Sequence, residues 1–123
     1  MKASLIPLVF SAVAGSCQVP PTELRTYTLT TTAAADQYAQ IWQKHIVSLA
    51  GFNVTTRSVW RNEGDDKQVI AIVQYALGDD PVAVTEAYMA SAAFAQDMEG
   101  FNMSSFASVI ATELKPLAFS PVL

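Results

Sequence analysis

The 123-residue sequence predicts a single α+β domain with the element order β-α-β-β-α-β. Three observations lead to it. The stretch "DQYAQIWQKHIVSLAGF", residues 36–52, places apolar residues at helical spacing. The segments "FNVTTRSVWRN" and "KQVIAIVQYAL" are rich in β-branched and aromatic residues and are joined by "EGDD", which has turn composition, so they read as an antiparallel hairpin. "GDDPVAV" is a helix start, with Asp80 as N-cap and Pro81 in the first helical position, where its missing N–H costs nothing. With a β-prone segment before and another after, the order is the split βαβ of ferredoxin-like folds.

Each element has its own warrant. "ELRTYTL" after Pro20-Pro21 supplies Leu24, Thr26, Tyr27, Thr28 and Leu29, residues that favour a pleated surface. The threonines at 30–32 can cap the first helix, and Gly51 is expected to end it as a C′ glycine. Tyr38, Ile41, Trp42, His45, Ile46 and Leu49 form its apolar stripe. The second helix runs towards Gly100 with Val84, Ala87, Tyr88, Ser91, Phe94, Ala95 and Met98 on one face, and Ser91 can start a fresh turn within it. "SSFASVIATELKPLAF" gives the fourth strand, closed by Pro116 and Pro121. In the third strand Val69, Ala71, Val73, Tyr75 and Leu77 point one way, and Ile70, Ile72 and Ala76 the other. A strand apolar on both faces needs a second covering layer, and this chain has no element left to supply it. Self-association through the open sheet face is the expectation.

Hydrophobic residues make up 51% of the chain and charged residues 15%, which suits a packed core. A net charge of −4 with scattered Lys and Arg argues against nucleic acid or an anionic membrane as a partner. One cysteine, Cys17, and one histidine exclude a disulfide framework and a Cys/His zinc site within one chain. The acidic "EGDD" and "GDD" are turn and cap chemistry, so no metal site and no cofactor are expected.

Residues 1–16 read as a secretory signal peptide: Lys2 gives a positive start, Leu5 to Val13 an apolar run, and Ala12-Val13-Ala14 a small-residue cleavage pattern. The expected localisation is the secretory pathway or outside the cell, with no membrane insertion after removal of the segment; the alternative is a cytoplasmic protein with an apolar N-terminal tail. The sequons Asn53-Val54-Thr55 and Asn102-Met103-Ser104 are compatible with secretion.

The segments "ELRTYTL", "GFNVTTRSVW", "YMASAAF" and "LKPLAFSP" occur in an order that resembles the NIPSNAP family. The resemblance covers roughly residues 23–121 and makes 22–123 a NIPSNAP-like ferredoxin-like domain. It implies the dimeric α+β barrel, in which two such sheets face each other, and hence a homodimer. That superfamily includes cofactor-independent monooxygenases, and cyclases or isomerases of polyketides and related metabolites. They hold an apolar substrate between sheet and helices.

His45 titrates near neutral pH and lies on an apolar stripe, so it is either the acid–base group of a pocket or a neutral core imidazole bonded to a backbone carbonyl. Tyr27, Tyr75 and Tyr88 can donate a phenol to a substrate oxygen or pack in the core, and Trp42 and Trp60 can line a pocket or fill the core. Arg25, two residues from Tyr27 on one strand face, can bind a carboxylate or enolate, or pair with Glu23 or with a carboxylate of a partner chain. Arg57 and Arg61 are expected at solvent or a dimer rim, and Asp97 and Glu99 in solvent. The expected function is a small cofactor-independent enzyme, cyclase- or isomerase-like, acting by acid–base chemistry on an apolar metabolite, for instance one of secondary metabolism. Its catalytic candidates are His45, Tyr27 and Arg25, and its substrate-binding candidates Trp42, Trp60, Tyr75 and Tyr88. The alternative is a non-catalytic small-molecule-binding or scaffold protein.

Overall fold

The computed structural model describes residues 19–121. The expected signal segment, 1–16, and Cys17 lie outside them. Four strands and three helices follow in the order β1 (Thr22–Leu29), α1 (Thr32–Ala50), β2 (Thr55–Asn62), β3 (Asp65–Gln74), α2 (Pro81–Met89), α3 (Ala92–Asp97) and β4 (Phe106–Leu114), with a short 3₁₀ turn at Met103–Ser105 before the last strand. The sheet is four-stranded, ordered β2-β3-β1-β4, and every neighbouring pair is antiparallel. This is the ferredoxin-like α+β arrangement, with the helices on one face.

The local chemistry follows the sequence at most boundaries. Thr31 Oγ1 accepts from Ala34 N–H at 3.0 Å and caps α1. Asp80 accepts from Val82 N–H and caps α2, with Pro81 in its first turn. The hairpin is tighter than expected: Asp65 and Asp66 belong to β3, and Asn62 pairs with Asp65. The last strand ends at Leu114, short of the expected Phe119.

Gly51 does not take the left-handed position. It sits at φ −68° and its N–H bonds back to Ser48 and Leu49 carbonyls, while Asn53 makes the turn at φ 63°. Asparagine tolerates that region better than other residues with a side chain. β2 accordingly starts at Thr55, and a register shift between Thr56 and Ser58 gives it a bulge.

The core lies between α1 and the sheet. Tyr38, Ile41, Trp42, His45 and Leu49 of α1 are buried against Tyr27, Leu29, Val69, Ala71, Val73 and Tyr75. Ile46, expected on the stripe, is exposed: it lies roughly 80° around the helix from Tyr38, whereas His45 lies only about 20° away. Leu77 is exposed too, because β3 ends at Gln74 and the chain leaves the sheet towards Gly78, which turns at φ 88°. Arg61 forms an exposed ion pair with Asp36 of α1 at 2.8 Å.

Among the described residues the opposite sheet face carries no helix. Trp60, Ile70, Thr26 and Ile110 fall in one row across all four strands, and Ile72 and Leu24 pair in the next. Trp60 and Ile110 are both more than half exposed.

The expected single second helix is two. α2 stops at Ala90, and Ser91 restarts the chain as N-cap of α3 by accepting from Phe94 N–H at 3.2 Å. The Ser91 hydroxyl also donates to the Tyr88 carbonyl at 2.6 Å, a helix-end acceptor that takes the Ser91 N–H at 3.0 Å as well. This break shapes the site.

Candidate functional site

A cavity of about 360 Å³ opens between the helical face of the sheet and the three helices. Its walls are mostly apolar, with Tyr27, Tyr38, Trp42, Phe94 and Phe106 among the aromatic residues that line it. Exposed Val82, Met89, Met103 and Val109 belong to its lining as well, so an apolar rim meets solvent. Two polar clusters interrupt this surface. Each touches α2, one through Thr85 and the other through Tyr88. These residues are three apart and therefore neighbours on one helix face, so the clusters stand about one helical turn from each other.

The first cluster centres on His45, which is 2% exposed. Its Nδ1 lies 2.5 Å from the Tyr88 hydroxyl and 3.4 Å from Asp97 Oδ2. The Tyr88 hydroxyl donates to Asp97 Oδ2 at 2.6 Å. A phenol has one proton, and here it is directed at the Asp97 carboxylate, so the short contact to Tyr88 requires a proton on His45 Nδ1. The hydrogen-bond chain runs from His45 Nδ1–H to the Tyr88 oxygen and from Tyr88 O–H to Asp97. A neutral imidazole then has its lone pair on Nε2, which makes no hydrogen bond among the described residues. Aromatic neighbours fix the ring: Trp42 meets it edge-on at 5.2 Å, and Phe94 is parallel to it at 6.0 Å.

Burial depresses the His45 pKa below its ordinary 6.5, and the Arg25 charge adds to this; the hydrogen bond and charge of Asp97 oppose it without overcoming it. Burial pushes the Asp97 carboxyl up, but hydrogen bonds from Tyr88, Ser48 and His45 outweigh it and hold the group below the usual carboxylate range. Burial and the Asp97 hydrogen bond push the Tyr88 phenol well up. At neutral pH the cluster is neutral imidazole, neutral phenol and carboxylate.

Asp97 corrects the sequence reading, which placed it in solvent; it is 6% exposed. Tyr88 and Asp97 are nine residues apart, so an unbroken helix would set them on opposite sides. The break at Ser91 turns α3 back and brings the carboxylate onto the phenol.

The second cluster centres on Arg25, buried at 8% exposure. Its Nε lies 3.2 Å from Glu23 Oε1 and its Nη1 3.3 Å from the Tyr27 hydroxyl. Nη2 donates to the hydroxyls of Thr85, at 2.8 Å, and of Tyr75. Tyr75 in turn donates to Glu23 Oε1 at 2.7 Å. Burial works against the guanidinium charge, but Tyr27 and Tyr75 more than compensate, so Arg25 stays protonated.

Of the candidates named from sequence, Arg25, Tyr27, Trp42, His45 and Tyr88 line this one cavity. Tyr75 is not in the lining and supports Arg25 through its hydroxyl. Trp60 is not brought there: it lies on the open sheet face, 59% exposed, with its indole N–H on Ser58 Oγ. Asp97, Thr85 and Tyr38 are members of the site that sequence reasoning missed. The one available signal was Ser91, a cap residue inside an apolar helical run. Among the described residues no group of three or more His, Cys, Asp or Glu is placed to hold a metal ion, and no helix is long and apolar enough to cross a membrane.

The fold has counterparts among solved structures. An uncharacterized NIPSNAP domain protein from Burkholderia xenovorans is 21% identical, covers 83% of this chain and 99% of its own, and superposes with a TM-score of 0.62. A NIPSNAP family protein with unknown function from Agrobacterium tumefaciens is 18% identical over 87% of this chain and 96% of its own, with a TM-score of 0.67. The chain has the NIPSNAP fold. A more distant structural neighbour is an antibiotic biosynthesis monooxygenase, 8% identical over 78% of this chain and 98% of its own, at a TM-score of 0.50. No family model matches the sequence, and no curated protein does either.

Proposed function

We propose that this NIPSNAP-fold chain is a small cofactor-independent enzyme that moves a proton on an apolar metabolite, in the manner of an isomerase or cyclase. The observation that carries the reading is the His45–Tyr88–Asp97 chain at the wall of an apolar cavity. Burial keeps His45 neutral, and the hydrogen bond at Nδ1 leaves Nε2 as the basic atom. In the proposed step Nε2 takes a proton from a carbon beside a carbonyl. The C–H electron pair moves to the carbonyl oxygen as an enolate, and Arg25 offers that oxygen a hydrogen bond. The imidazolium is stabilised through Tyr88 by Asp97; where the enolate is conjugated to a further C=C bond, it returns its proton to the far carbon of that bond as the carbonyl re-forms and the double bond shifts, so the product is an isomer and no oxidant or reductant is consumed.

The reading includes a homodimer, supported by the apolar open face of the sheet. Secretion, which rests on residues 1–16 alone, remains part of the proposal.

The test is hydrogen–deuterium exchange at the carbon beside the carbonyl of an enolisable apolar ketone such as β-tetralone, followed by NMR in D₂O with no cofactor added. Wild type is expected to accelerate exchange above buffer, and His45→Gln to lose the acceleration while keeping its circular dichroism spectrum. Acceleration that survives His45→Gln, or none in the wild type across a panel of such ketones, overturns the reading.

A further inference from the structure

We propose that the cavity selects ligands by charge: it takes the neutral form of an apolar oxygen compound and rejects the corresponding carboxylate. The inference builds on the cavity as a small-molecule site and names the class of molecule it admits. It requires no turnover.

Arg25 is the one cation among the described residues that line the cavity. An arginine in an apolar cavity ordinarily recruits carboxylates, because its planar fork offers two parallel N–H bonds. Here the fork is already used. Of the five N–H donors of a guanidinium, the one on Nε is directed to Glu23, one on Nη1 to Tyr27, and the two on Nη2 to Tyr75 and Thr85. One N–H on Nη1 remains. It can serve a single oxygen acceptor, whereas a bidentate carboxylate needs two.

The charges point the same way. Glu23 neutralises Arg25 from within the chain, and Tyr75 O–H fixes that carboxylate in place. Glu86, the other charged residue of the lining, is negative, and Asp97 adds a buried negative charge directly behind His45. A carboxylate entering this space would lose its water, find its natural partner taken and meet net negative charge. A neutral ketone or phenol has none of these costs and gains the free N–H. Such a ligand can also give its proton to His45 without adding a second anion at the start.

The experiment is isothermal titration calorimetry at neutral pH with two probes of one skeleton, β-naphthol, which is neutral, and β-naphthoate, which is ionised. Wild type is expected to bind β-naphthol at least roughly tenfold more tightly. Equal or tighter binding of β-naphthoate, or no binding of β-naphthol, overturns the proposal. Any apolar pocket disfavours an anion to some degree, so the deciding arm is Glu23→Gln, which removes the internal countercharge. β-Naphthoate affinity is expected to rise by roughly tenfold while β-naphthol affinity changes little. Thr85→Val, which frees an N–H on Nη2, is expected to move β-naphthoate the same way and serves if Glu23→Gln does not fold. If β-naphthoate is unmoved in the folded variants, the internal countercharge is not what excludes it and the proposal fails. Charge-selective binding without exchange activity would sink the enzyme reading and leave this one intact; exchange activity without selectivity would do the reverse.

Discussion

The Tyr88 hydroxyl donates to Asp97 Oδ2 at 2.6 Å across nine residues of sequence, and it reaches that oxygen because the chain breaks at Ser91 between two short helices. The same hydroxyl faces His45 Nδ1 at 2.5 Å. The tautomer of the only histidine is therefore fixed by a break between two helices that pack beside it.

The break can be weakened at its cap. Ser91→Ala removes both the Phe94 N–H acceptor and the donor to the Tyr88 carbonyl. A lost N-cap costs about 1 kcal/mol. A fall in urea-unfolding stability of that size is expected, together with a further drop in the His45 pKa, because Asp97 is held less firmly against it. An NMR titration of the ring that shows the pKa unmoved would separate the cap from the cluster.

The link itself is the target of Tyr88→Phe. The substitution leaves a buried carboxylate one hydrogen bond short and removes the acceptor from His45 Nδ1. Leaving buried polar groups unsatisfied costs about 1–3 kcal/mol. Denaturant unfolding should show a loss in that range. The β-tetralone exchange rate should fall by roughly tenfold or more, since one general-base interaction is typically worth 10²–10⁴.

Stability should depend on pH through His45. Its folded pKa is depressed below the unfolded value of 6.5, so the unfolded chain binds the proton more readily. The stabilisation from keeping His45 neutral is fully present above about pH 6.5 and is lost as pH falls from there through the folded pKa. Asp97 enters only lower, because its own folded pKa is depressed from 3.8. The urea midpoint of the wild type is therefore expected to decline as pH drops below about 6.5, and His45→Gln should flatten that upper part of the decline. An identical slope in the two proteins would assign it to other groups.

The open sheet face makes a separate prediction. Trp60, Ile70 and Ile110, with Thr26 between the last two, form a largely apolar row, and Trp60 and Ile110 are more than half exposed. Size-exclusion chromatography with light scattering should give a dimer mass, and Ile110→Lys should shift it to monomer at micromolar concentration. A wild-type monomer at such concentrations would remove the homodimer from the proposal.

Much of the fold was legible because local signals agreed with one another. Thr31, Asp80-Pro81 and the Glu63-Gly64 turn each set a boundary by short-range chemistry, and the two-sided apolar pattern of Val69 to Tyr75 revealed an uncovered sheet face. His45 was legible as an inward-facing residue because helical spacing fixes direction. Asp97 was not, since its place depends on a change of chain direction that helix periodicity cannot express. Gly51 misled for a related reason: glycine permits the left-handed region without requiring it, and Asn53 took the turn. The engagement of four of the five Arg25 N–H groups was also beyond reach, because Thr85 and Tyr75 meet it only through tertiary packing, although Glu23 was anticipated as its partner.

The claim on which the proposed chemistry rests is the protonation state of His45, and ¹⁵N NMR of the histidine-labelled protein at neutral pH reads it directly. A neutral ring with the proton on Nδ1 and an unprotonated Nε2 is the expected result. A proton on Nε2, or an imidazolium ring at neutral pH, would contradict it and leave the cavity without its base.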